Sequence, residues 1–298
     1  MKFDDGRVDT SGLEDRRGGG RMPGGAAGAG LGGLGGLGII GVLLWVLLGG
    51  GGDPTALLTD SAAGSPGTAG QQATDDLSVV CTTNQALDTR DDCFVLKVFN
   101  ETNEVWTDYY GAQGQTYVEP KLVYYDGATQ TGGCGNASAN AGPFYCPPDQ
   151  RVYIDVKFLQ QLQAQYGFSG KYATAYIVAH EVGHHIQTIT GIESQVRQLQ
   201  QRNPSQANQY SVALELQADC LAGVWGRKAN DDGNVVITQA EYAQALNAAA
   251  AVGDDTIMSG AGMRVNPEQF THGSAAQRQQ WFTTGFESGD PNSCNTFR

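Results

Sequence analysis

The chain has 298 residues, enough for one large domain or two small ones, and a net charge of −13. An acidic surface repels phosphate backbones, and no Lys/Arg stripe with interleaved aromatics occurs, so nucleic acid is excluded as a partner. Apolar residues make up 40%. The deficit lies in the Gly-, Ala- and Ser-rich N-terminal part, which leaves roughly 220 residues for one ordinary domain.

From Gly24 to Gly52 there is no charged residue, and Leu37 to Leu48 is strongly apolar. Residues 31–52 therefore read as one transmembrane helix, long enough to span a bilayer despite its glycines. Residues 1–30 read as a disordered arm. Arg16, Arg17 and Arg21 precede the span, and the next basic residue after it is Arg90. This asymmetry places the N-terminus in the cytoplasm and everything downstream outside, in the periplasm or beyond. Residues 53–77, rich in Ala, Gly, Ser, Pro and Thr, read as a flexible linker, and residues 78–298 as the catalytic domain.

All six cysteines follow the linker: Cys81, Cys93, Cys134, Cys146, Cys220 and Cys294. Cys81 with Cys93 and Cys134 with Cys146 form two close pairs of equal spacing, leaving Cys220 for Cys294. Other pairings are open, and so is a set of buried thiols, but this one closes the shortest loops. Disulfides imply an oxidising compartment, which agrees with the charge asymmetry.

Within the domain, Cys93–Phe99, Tyr117–Tyr125 and Arg151–Asp155 are β-branched and aromatic and read as strands. Helical spacing follows at Phe158–Tyr166, Tyr172–Thr190, Ile192–Gln201, Gln206–Lys228, Thr238–Ala251 and Ser274–Phe286, the last with Ser274 as N-cap. Strands first and helices after give an α+β domain with a small N-terminal β region, preceded by the membrane helix.

The helix Tyr172–Thr190 carries His180-Glu181-Val182-Gly183-His184-His185. His180 and His184 lie four apart, one turn over the next, so both imidazoles can reach one zinc ion at about 2.0–2.1 Å. Glu181 lies about 100° round the helix, beside the metal and free to act as general base toward water. His185 is rotated away from His184 by the same angle and reads as a polar supporting or surface residue. Gly183 permits close approach of another backbone.

A zinc hydrolase needs a third protein ligand. Glu215-Leu-Gln-Ala-Asp219 repeats the i, i+4 pattern within apolar flanks that mark a buried helix. Glu215 is the expected ligand, and Asp219 the acceptor that fixes the tautomer of His180. The fourth histidine, His272, is a candidate catalytic donor to a developing oxyanion, and Arg278 could assist it or pair with an acid.

The His180-Glu-x-x-His184 and Glu215-x-x-x-Asp219 pair resembles the gluzincin pattern of zinc peptidases. Thr271-His272 followed by Arg278 is similar to a stretch in the heat-shock and CAAX-processing membrane proteases of that clan, a likeness confined to the catalytic core. The bacterial neutral zinc metallopeptidase family resembles the chain over nearly its whole length, from Glu14-Asp-Arg-Arg17 to Cys294. That resemblance implies a zincin-like fold, one N-terminal anchor and the same His/His/Glu ligands.

The expected protein is thus a membrane-anchored endopeptidase with one Zn²⁺ per chain and a peptide or protein substrate. A zincin-fold binding or scaffold protein without turnover is the alternative.

Overall fold

The computed structural model describes residues 1–18, 75–137 and 141–297. The N-terminal residues, expected as a disordered arm, pack into the domain as two strands, β1 (Lys2–Phe3) and β2 (Leu13–Asp15). Short helices α1 (Leu77–Val80) and α2 (Asn84–Thr89), each capped by the preceding Asp76 or Thr83 side chain, lead to α3 (Asp91–Gly111).

Helix α3 replaces the strand expected at Cys93–Phe99. An unbroken apolar run has no period to distinguish helix from strand, and its β-branched residues tip a local reading toward strand. Burial decides the outcome. Cys93, Phe94, Val95, Leu96, Val98 and Phe99 are all buried, so the run is a helix enclosed on several sides. Asp91 and Asp92 in the first turn complement the helix dipole.

Strands β3 (Lys121–Tyr124), β4 (Thr129–Gln130), β5 (Asn136–Ala137), β6 (Phe144–Cys146) and β7 (Arg151–Ile154) follow. The main sheet has the order β2-β3-β7-β6. β2 is parallel to β3 with Leu13 opposite Leu122, β3 is parallel to β7, and β7 is antiparallel to β6. The helices come next: α4 (Val156–Tyr166), α5 (Lys171–Ile189), α6 (Ile192–Arg202) and α7 (Ala207–Asp231). Strand β8 (Val235–Val236) pairs antiparallel with β1. Helices α8 (Gln239–Ala251), α9 (Asp254–Gly260) and α10 (Ala275–Ser288) complete the domain. Ser274 caps α10 in a capping box with Gln277. The disulfides are Cys81–Cys93, Cys134–Cys146 and Cys220–Cys294.

The arm is fastened by more than strand pairing. Arg17 reaches Asp15 at 2.6 Å and Asp92 at 3.0 Å, with its guanidinium 4.9 Å from the centre of the Tyr124 ring. Lys97 holds Asp5 at 3.0 Å, and Phe3 packs on Phe94.

This docking corrects the expected membrane topology. The proposed span 31–52 lies outside the described residues, as does most of the expected linker. Among the described residues no helix is long and apolar enough to cross a membrane. A single crossing between residues 18 and 75 would also put the two flanks on opposite sides of a bilayer. Yet residues 13–15 share a sheet with residues 121–124, 144–146 and 151–154. The single-pass layout, with a cytoplasmic arm and an extracytoplasmic domain, is therefore overturned. The expected α+β domain behind a membrane helix becomes a mixed, mainly helical α/β domain with its N-terminus built in. Local hydropathy cannot report this, because the deciding contact joins residues far apart in the chain.

Candidate metal centre

The core places α5 against α7. They approach closely at Gly183, where a Cβ would lie 3.0 Å from the Ala218 carbonyl oxygen and 3.2 Å from its Cα. That approach sets the carboxylates of α7 opposite the imidazoles of α5. His180 Nε2 lies 3.2 Å from Glu215 Oε2, and His184 Nε2 lies 3.5 Å from Glu215 Oε1. The three donor atoms lie within 4.8 Å of one another. Ligands about 2.0–2.2 Å from a tetrahedral ion sit about 3.3–3.6 Å apart, so the two short separations match the edges of a zinc site.

Hydrogen bonds behind the two imidazoles orient them. His180 Nδ1 donates to Asp219 Oδ1 at 2.8 Å, so Nε2 is the ring nitrogen turned toward Glu215. His184 Nδ1 donates to Gln187 Oε1 at 2.8 Å. The Gln187 amide cannot be flipped, because its Nε2 donates to the Leu214 carbonyl at 2.7 Å, a group that only accepts. Both imidazoles therefore aim Nε2 at one point.

Asp219 is fully buried and anchors this wall. Arg278 grips it through Nε at 2.8 Å and Nη2 at 2.9 Å, and Tyr176 donates its hydroxyl at 2.5 Å. Arg278 also donates to the Tyr176 oxygen and to the Val252 carbonyl. Arg278 thus pairs with an acid and does not reach toward an oxyanion. Burial alone would raise the Asp219 pKa, but the Arg278 charge and then His180 outweigh it and lower it.

The same balance governs the ligands. Burial lowers the His180 pKa, yet Asp219 and then Glu215 outweigh it and raise it to about 10. Burial raises Glu215, and the charges of His184, His180 and His272 bring it well below the usual carboxylate range. Glu181, beside the donors but not among them, is pushed up by burial, against the lowering effect of His180, His184 and the Tyr145 backbone N–H. A cation held by His180, His184 and Glu215 would be favoured by the negative charge of Glu215 and Asp219.

His185 is not a surface residue. It is completely buried, with Nε2 donating to the Val118 carbonyl at 2.6 Å and Nδ1 accepting from the Tyr145 hydroxyl at 3.0 Å. Burial lowers its pKa to about 4, so it is a neutral clamp between α5 and the sheet.

His272 comes from the loop before α10. Gly273, at φ +93°, lets that loop lie against Val212 and Leu216 of α7, next to Glu215. Asp254, at the start of α9, accepts from the backbone N–H groups of Thr271, His272 and Gly273 and from His272 Nδ1 at 2.9 Å. The other ring nitrogen, Nε2, is buried without a hydrogen-bond partner among the described residues. Asp254, Tyr176 and Gln187 were not found from sequence. Tyr176 and Gln187 sit four before His180 and three after His184, on the ligand face of α5, so helical spacing could have marked them. Asp254 has no such local signal.

Strand β7 is interior, between β3 and β6. Strand β6 ends the sheet among the described residues.

Two imidazoles and a carboxylate, with the carboxylate of Glu181 beside them, form a donor set that could hold a metal ion. The chain belongs to the family described as "Putative neutral zinc metallopeptidase", which matches residues 1–297. It is 43% identical over 296 residues to "Uncharacterized protein YpfJ" of Escherichia coli (strain K12), covering 98% of this chain and 97% of that protein. It is also 43% identical over 214 residues to "Uncharacterized protein Rv2575" of Mycobacterium tuberculosis (strain ATCC 25618 / H37Rv), covering 69% of this chain and 70% of that protein. No solved structure matches.

Proposed function

We propose that the protein is a zinc-dependent endopeptidase, with His180, His184 and Glu215 as ligands and Glu181 as general base. The observation that carries this reading is the convergence of both Nε2 atoms and the Glu215 carboxylate within 4.8 Å of one another, each imidazole held from behind at Nδ1. Zinc, when bound, supplies a Lewis acid that polarises a carbonyl and acidifies water. The chain's own residues do the rest. Glu181 takes a proton from the attacking water and passes it to the leaving amine. Asp219, held anionic by Arg278, keeps His180 oriented. His272, held by Asp254 at Nδ1, is the candidate hydrogen-bond donor to the oxyanion. Strand β6, which ends the sheet among the described residues, offers an edge on which an extended peptide can pair.

The test is cleavage of casein or a quenched peptide library by the full chain. Cleavage that stops with 1,10-phenanthroline and returns with added zinc supports the reading. Cleavage indifferent to the chelator, or none with zinc restored, contradicts it.

A further inference from the structure

The two ligand histidines are oriented by different means. His180 has a carboxylate behind it. His184 has only amides: its Nδ1–H donates to Gln187 Oε1, Gln187 Nε2 donates to Gln217 Oε1 at 3.1 Å, and Gln217 Nε2 donates to the Cys294 carbonyl at 2.9 Å. Every link points the same way, outward from His184 to a carbonyl that can only accept. Each amide therefore has one permitted orientation. Gln187 and Gln217 are both buried, which makes an unmade link costly.

The far end of this relay is fixed covalently. Cys294 is bonded to Cys220, the residue after Asp219, and Thr296 Oγ1 donates to the Ala213 carbonyl at 2.6 Å. The C-terminal segment is thus strapped along α7 across the stretch that carries Glu215 and Asp219. One disulfide meets both orienting arms: at Cys220 beside the Asp219 arm, and through the Cys294 carbonyl at the end of the glutamine arm.

We propose that Gln187 and Gln217 are positioning residues for the metal ligand His184, and that the disulfide-held Cys294 carbonyl sets the direction of their relay. They do not touch a substrate. Their effect runs through His184, by keeping its proton on Nδ1 and its lone pair on Nε2. The inference rests on the zinc reading above.

The experiment measures zinc affinity of the full chain by competition with a chromophoric chelator. Gln187→Leu keeps the volume and removes the relay, so zinc should bind about 10–100-fold more weakly. Gln217→Leu breaks only the outer link, while Leu214 still holds Gln187, and should give a smaller loss. Tyr117→Phe removes a buried hydrogen bond to Asn103 that lies outside the relay. It should lower the melting temperature and leave zinc affinity unchanged. Imidazole ¹⁵N shifts of the metal-free protein should show His184 as the Nδ1–H tautomer in wild type and mixed in Gln187→Leu. Wild-type zinc affinity in Gln187→Leu would overturn the relay, and so would an equal weakening in Tyr117→Phe. A wild-type chain that binds no zinc would instead sink the metal reading itself.

Discussion

Glu181→Gln is expected to lower kcat for peptide hydrolysis by about 10²–10⁴-fold while the protein keeps its zinc. Glutamine has nearly the shape of glutamate and can still accept from the Tyr145 N–H, so the site geometry survives. What it loses is the ability to take a proton. Glu181 lies outside the donor triad, and metal affinity should therefore hold. The side chain is buried, and burial disfavours its charged form, so the neutral amide should leave stability unchanged or slightly higher. Kinetics on zinc-loaded wild type and variant, with metal content and melting temperature measured on the same samples, separate these effects. A kcat within tenfold of wild type at equal zinc content would remove Glu181 from the chemistry.

The largest stability effect should come from Arg278→Met. Asp219 is fully buried, and Arg278 is the nearest fixed positive charge on it, through a two-point grip. Removing the guanidinium leaves a buried carboxylate facing only Tyr176 and His180. Breaking one side of such a pair costs about 3–5 kcal/mol. For a domain of this size that is roughly 6–20 °C in melting temperature. Much of the loss belongs to the stranded charge, not to the contact. Adding Asp219→Asn to Arg278→Met should therefore recover part of it, with a coupling energy on the order of 1–3 kcal/mol in a double-mutant cycle. Urea unfolding of the four proteins measures this. A loss below about 1 kcal/mol for Arg278→Met would mean that water or another cation stands in for the arginine.

What the sequence made legible follows from the range of the interactions. The spacing of His180, Glu181 and His184 is a property of one helix, so five residues suffice to place them. Glu215 and Asp219 were readable because their apolar flanks mark a buried helix, where carboxylates need a partner. The same local signals misread Cys93–Phe99, whose conformation is decided by the core around it. They also read residues 31–52 as a lone membrane helix. The contrary evidence lies outside that run, in the pairing of Leu13–Asp15 with Leu122–Tyr124 and in the clasp of Arg17 on Asp92. Asp254 was invisible because it acts on His272 across the α9–α10 loop, and the Gln187–Gln217–Cys294 relay because it joins three separate elements.

The central claim is that His180, His184 and Glu215 hold one zinc ion. Its most direct test is an anomalous difference map at the zinc edge from crystals of the full chain grown with zinc. One strong peak is expected about 2.0–2.2 Å from His180 Nε2, His184 Nε2 and a Glu215 carboxylate oxygen. A map with no density at these side chains, or with its principal peak elsewhere, would contradict it.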